Sequence, residues 1–114
     1  MTVHLLKNEP VRFTTAACLA QLLIHCQKLA ASDITLQTGE PVFAEVYGRL
    51  LRITQRKLSN TEVAEILNLI YGPNGSAQIL SGVDIDTHYE FRPNRNERYR
   101  FRVNATGCLV AGHD

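Results

Sequence analysis

Tryptophan is missing from this sequence, methionine occurs once, and no run of eighteen apolar residues exists. The last absence excludes a membrane-spanning helix of ordinary length. The first ten residues include Lys7, Asn8 and Glu9, so they lack the apolar centre of a signal peptide. A phosphate-cradling G-x-x-x-x-G-K-[ST] loop is absent as well, and without it the 114 residues do not hold a triphosphate alone. Three cysteines, Cys18, Cys26 and Cys108, are too few and oddly spaced for a disulfide framework. Cys18 and Cys26 fall in one predicted helix, about 12 Å apart along its axis. That is too far for a bridge, and reduced, intracellular cysteines are the simplest reading. The formal net charge is only +1, so global charge calls for no polyanionic partner.

The residues present are those of one globular domain, with 45% hydrophobic and 20% charged positions. Residues 1–12 show no periodicity and are read as a flexible N-terminal arm, with the domain proper at 13–114. Thr14 or Thr15 caps a helix predicted to reach Ala31, with Leu19, Leu22, Leu23, Cys26, Leu29 and Ala30 on one stripe. The period then shortens to two. Ile34 to Thr38, Val42 to Tyr47 and Leu50 to Ile53 read as two or three short antiparallel strands joined by turns. Ser59 and Glu62 have capping-box spacing at the start of a second helix, whose buried face holds Val63, Ile66, Leu67 and Ile70. The cluster Gly72-Pro73-Asn74-Gly75 reads as a turn ending it, followed by a short helix over 76–81. Alternation returns over 84–91 and 98–103, with a turn at 93–96 between them and a further strand starting within 106–111. The expected fold is α+β: a mostly antiparallel sheet with helices on one face.

Five of the nine arginines lie between Arg92 and Arg102. Arg98, Arg100 and Arg102 share one strand face, while Tyr99, Phe101 and Val103 share the other. Three guanidiniums in a row, about 7 Å apart, offer planar forks of donors to phosphate or carboxylate oxygens. Two readings compete: an anionic partner, or a face paired to Asp84, Asp86 or Glu90 of a neighbouring strand. Asp84, Asp86 and His88 also share a face. Three ligands on one strand diverge, so cross-strand pairing outweighs a metal site there. His4, His25 and His113 show neither ligand spacing nor a nucleophile partner.

Several segments resemble the PilT family of pilus-retraction and secretion ATPases. These are Ala31-Ser32-Asp33-Ile34-Thr35-Leu36-Gln37-Thr38-Gly39, Tyr47-Gly48-Arg49-Leu50, the strand from Asp84 to Phe91, and above all Arg100-Phe101-Arg102-Val103-Asn104. The matches follow the family's order over residues 28–114. The stretches from Gly72 to Asp86 and from Thr106 to Asp114 are similar to its type IVB branch, which serves secretion and conjugation (the DotB and TraJ ATPases). The resemblance implies a PAS-like N-terminal domain joined to a RecA-like ATPase domain, with ATP and Mg²⁺ in the parent protein and none on these residues alone. It further implies a cytoplasmic homohexamer at the inner-membrane secretion apparatus. Each N-terminal domain would pack on a neighbour's ATPase domain, with other secretion components as partners. Arg100 and Arg102, with Arg98 as a weaker choice, then become candidates to sense nucleotide phosphates. Asn104 would orient that strand or the linker.

Two other classes compete with that reading. A free-standing PAS-like ligand sensor requires a polar group in its core, whereas the assignable core is apolar; a protein-docking module without a role in ATP hydrolysis is the other form of that alternative. A nucleic-acid binder would pair basic and aromatic residues on one face, and here Tyr99 and Phe101 oppose the arginines.

Overall fold

The change from a helical to a two-residue apolar period lays helices against one face of a sheet. The computed structural model describes residues 5, 6, 9, 10, 13, 15–80, 82 and 84–107. Of the strand start expected within 106–111, residues 108–111 lie outside the described residues, as do Cys108, His4 and His113.

Helix α1 (Ala16–Lys28) is capped by the Thr15 hydroxyl, which accepts the Cys18 N–H at 3.3 Å. Leu19, Leu22, Leu23 and Cys26 form its buried stripe. The helix stops short of the predicted Ala31. Ala30 adopts φ +62° and is exposed rather than buried, donating to Gln27 O at 2.9 Å, while Ala31 donates to Cys26 O at 3.0 Å. These two bonds close the helix in a Schellman arrangement, with alanine where glycine is usual. Strands β1 (Asp33–Gln37), β2 (Phe43–Val46) and β3 (Arg49–Arg52) follow. Tyr47 and Gly48 link β2 to β3 with φ +50° and +80°, the signs a two-residue type I′ turn requires.

Helix α2 (Asn60–Ile70) begins with the expected capping box: the Ser59 hydroxyl accepts the Glu62 N–H at 3.1 Å. The predicted turn at 72–75 is instead a helix start. Gly72, at φ +102°, ends α2, and α3 (Pro73–Leu80) begins at once with Pro73. Proline suits a first helical position because its missing N–H would be unbonded there. A long hairpin completes the domain, β4 (Ile85–Asn94) and β5 (Glu97–Thr106).

The sheet order is β3-β2-β1-β5-β4. Three pairings are antiparallel, and the fourth, β1 with β5, is parallel. This α+β sheet is therefore mostly antiparallel, as expected, with one parallel seam that adjacency in sequence did not reveal. Ile34, Leu36, Ala44, Ile85, Phe101, Val103 and Ala105 bury their side chains on the helix side with the α1 and α2 stripes. The opposite side carries Asp86, His88, Glu90, Arg100 and Arg102 into solvent.

Described positions of the N-terminal segment are tied to this core. Leu6 is buried and donates its N–H to Ile53 O at 2.8 Å, and Phe13 is fully buried. The Glu9 carboxylate accepts the Gln55 and Arg56 amides at 2.9 and 3.3 Å. Glu62, only 3% exposed, accepts the Phe13 N–H at 2.7 Å and the Arg56 guanidinium through both oxygens. Arg56 also lies over the Phe13 ring, 5.2 Å from its centroid. Of the segment read as an arm, Leu6 supplies apolar surface to the core and Glu9 binds the Gln55 and Arg56 amides, while Phe13, at the start of the domain proper, is fastened to α2 by Glu62.

Two stability tests follow from this packing. Phe101→Ala empties a site in the sheet's buried face and is expected to cost about 3–5 kcal/mol in denaturant unfolding. A negligible loss would mean the two faces of β5 are reversed. Burial alone would raise the Glu62 carboxyl, yet the Arg56 hydrogen bonds, the Phe13 and Ser59 amides and the Arg56 charge hold it below its ordinary 4.5. Its contribution is therefore complete above the unfolded value and is lost as pH falls through the lower folded value. Melts from about pH 6 to 2 should show an acid limb that flattens in Glu62→Gln, which is also less stable at neutral pH. An unchanged acid limb would remove Glu62 from that role.

Candidate functional site

The long β4–β5 hairpin builds the arginine face. Along β5, Phe101, Val103 and Ala105 turn inward and Arg98, Arg100 and Arg102 outward, the alternation expected of a half-buried strand. Tyr99 is only half-buried, and its hydroxyl donates to Glu97. The register then sets each arginine's neighbours: His88 opposite Arg102, Glu90 opposite Arg100, and Asp33 of β1 beside Arg102.

Arg102 is already paired. Its Nε and Nη2 donate to the two Asp86 oxygens at 3.1 and 2.7 Å, with an Asp33 oxygen at 4.0 Å. The Arg102 hydrogen bonds hold the Asp86 carboxyl below the usual carboxylate range, and Asp86 in turn raises Arg102. Both side chains are about half exposed, at 53% and 52%, so the pair is solvent-screened and exchangeable. Arg98 has a looser contact, 3.8 Å from Glu90, a carboxylate that also accepts Arg92 Nε at 2.8 Å. Arg100 differs from both. Among the described residues no carboxylate lies within 4.0 Å of it, although Glu90 faces it in register. The structure thus separates three arginines that look alike in sequence: Arg102 has an anion, Arg98 shares one, and Arg100 has its charge to offer.

The other candidates fall apart as a site. Asp84 precedes β4 and is exposed, Asp86 is taken by Arg102, and His88 is exposed. Among the described residues no group of three histidine, cysteine or acidic side chains is placed to hold a metal. His25 is half-buried on α1 and makes contacts within the protein. Burial pushes the Cys26 thiol up to about 12, which makes it inert as a nucleophile at neutral pH.

Two features escaped the linear pattern. An open hollow of about 460 Å³ at the hairpin end is lined by Arg92, Arg95, Asn96, Glu97 and Arg98; the arginine density from 92 onward was its only sequence signal. A groove of about 310 Å³ runs between the end of α1 and the start of β5, lined by Gln27, Ala30, Ala31, Arg98, Tyr99, Arg100 and Phe101. Nothing in the sequence brings Gln27 beside Arg100.

No protein-family profile and no curated protein matches the chain. Solved structures do. The crystal structure of the Legionella pneumophila ATPase DotB is 65% identical over 96% of this chain, with a TM-score of 0.78. That of the Yersinia pseudotuberculosis ATPase DotB is 27% identical over 83%, with a TM-score of 0.67. The chain spans 30% of the first protein and 26% of the second.

The exposed geometry of Arg102 carries its own test. Arg102→Ala should leave the melting temperature close to that of the parent chain, since screened surface pairs contribute little. A loss comparable to that of Phe101→Ala would assign the arginine to stability instead of binding.

Proposed function

Because this chain is a domain of the DotB ATPase type, we propose that it serves as the N-terminal regulatory and oligomerisation domain of a hexameric cytoplasmic ATPase. That parent powers type IVB secretion or conjugative transfer at the inner-membrane apparatus, alongside other secretion components. ATP and Mg²⁺ are held by the parent's ATPase domain, because these residues contain no phosphate loop. The domain packs on the ATPase domain of a neighbouring subunit and directs β5 arginines at its nucleotide. An arginine brought to a transferring phosphoryl group stabilises the charge that develops there.

The observation that carries this reading is Arg100, exposed on a rigid strand inside the R-F-R-V-N segment and without a carboxylate partner among the described residues. Arg102 joins it by exchanging Asp86 for phosphate, an exchange between a screened surface pair and a more highly charged anion. Arg98 lies at the edge of the same face. The Arg102–Asp86 pair itself favours a second reading, a docking module whose charged face is satisfied internally and takes no part in hydrolysis.

ATP hydrolysis by the full-length parent separates the two. Arg100→Ala should lower turnover by about tenfold or more while circular dichroism stays unchanged, and Arg102→Ala should lower it less. Normal turnover in both variants would remove the arginines from the nucleotide site and leave the docking module.

A further inference from the structure

Strand β5 outruns its neighbour. β1 accompanies it only from the Asp33↔Arg102 pair to Gln37↔Thr106, whereas β4 accompanies it back to Glu97. On the β1 side, Arg102 donates its backbone N–H to Ser32 O at 3.0 Å. Backbone groups alternate sides along a strand, so Arg100 presents its N–H and C=O to that same side. Among the described residues neither group has a partner. The result is a stretch of open sheet edge in the middle of the sheet order, where β1 has ended and β5 continues.

The groove of about 310 Å³ lies along this edge, with Gln27, Ala30 and Ala31 of the α1 terminus as its far wall. The left-handed turn at Ala30 ends α1 at this wall, and two residues later Ser32 O accepts the Arg102 N–H at 3.0 Å, where β1 joins β5. An unpaired edge beside such a groove accepts an added strand, whose main-chain bonds give affinity and whose alternate side chains give specificity. The charge along it is one-sided. Arg98 and Arg100 line it and Lys28 is exposed at the end of α1. The nearby acids already have partners: Glu90 accepts Arg92 Nε at 2.8 Å and lies 3.8 Å from Arg98 Nε, and Glu97 accepts Asn94 Nδ2 at 2.6 Å and the Tyr99 hydroxyl.

We propose that this edge of β5 receives an extended acidic segment of a partner protein, added as a short strand in line with β1. Its backbone bonds the Arg100 N–H and C=O, and its carboxylates, on alternate residues, face Arg98 and Arg100. The proposal depends on the edge and the groove, not on nucleotide sensing, and its test contains no nucleotide.

The probe is a blocked hexapeptide of alternating glutamate and valine, titrated at low salt into the isotope-labelled 114-residue chain. Its control has lysine in place of glutamate. The glutamate peptide should shift the amides of Ala30, Ala31 and residues 98–101, slow hydrogen exchange at the Arg100 N–H, and bind about three- to tenfold more tightly than the lysine peptide. The double variant Arg98→Glu, Arg100→Glu keeps every backbone donor and should invert that preference. Arg100→Pro removes one donor on an edge that tolerates proline and should abolish binding with the fold retained. Equal affinity for both peptides would overturn the proposal, as would shifts centred on β3. So would the same shifts from inorganic phosphate, or from the glutamate peptide without protection of the Arg100 N–H, since either would mark a simple anion site.

Discussion

The parallel pairing of β1 with β5 is the constraint on which the other features depend. It joins a strand from the first third of the chain to one from the last, and so fuses the β1–β2–β3 meander to the β4–β5 hairpin in a single sheet. Helices α2 and α3 must then cross between the two halves on one face, which is where the apolar sides of all five strands are covered. The same pairing puts Asp33 beside Arg102 and ends where β5 still has backbone to offer. Core, charged face and open edge thus follow from one register, because a shift by a single residue would turn every side chain to the other side of the sheet.

Electrostatics on the open face is organised by cross-strand neighbours more than by the arginines themselves. Asp86 lies two residues from His88 on β4, within reach of the long Arg102 side chain, and the two form a bidentate pair in solvent. Glu90 is shared between Arg92 and Arg98. Arg100, between those two systems, remains without a carboxylate among the described residues. Three chemically equivalent guanidiniums have therefore acquired three different readiness states for an incoming anion, and the difference arises from the carboxylates across the hairpin.

A second network works on the helix side. Glu62 is at once the capping-box residue of α2 and the acceptor that fastens Phe13 and Arg56. Its burial is tolerable because several donors meet it. Local sequence explains only the first of these roles. The Ser59–Glu62 spacing announces a helix start, but nothing near Glu62 in the sequence announces Phe13, which arrives from 49 residues away.

What the sequence by itself determined is what depends on short-range periodicity and local chemistry. The buried stripe of α1, the Ser59 cap, the inward Phe101 and Val103 with outward arginines, and the α+β class all follow from spacing, and the R-F-R-V-N segment carried the likeness to secretion ATPases. Local signals misled where two residues suit more than one role. Gly72-Pro73 can end a helix or end one and start the next, and Ala30 fits an apolar stripe as well as it fills a left-handed cap. Only the tertiary structure decided which β5 arginine lacks a carboxylate partner among the described residues, that Leu6 and Phe13 belong to the core, and that β5 keeps an open edge beside α1. Each of these depends on contacts between residues distant in the chain, and strand order and register, which no local pattern encodes, bring those residues together.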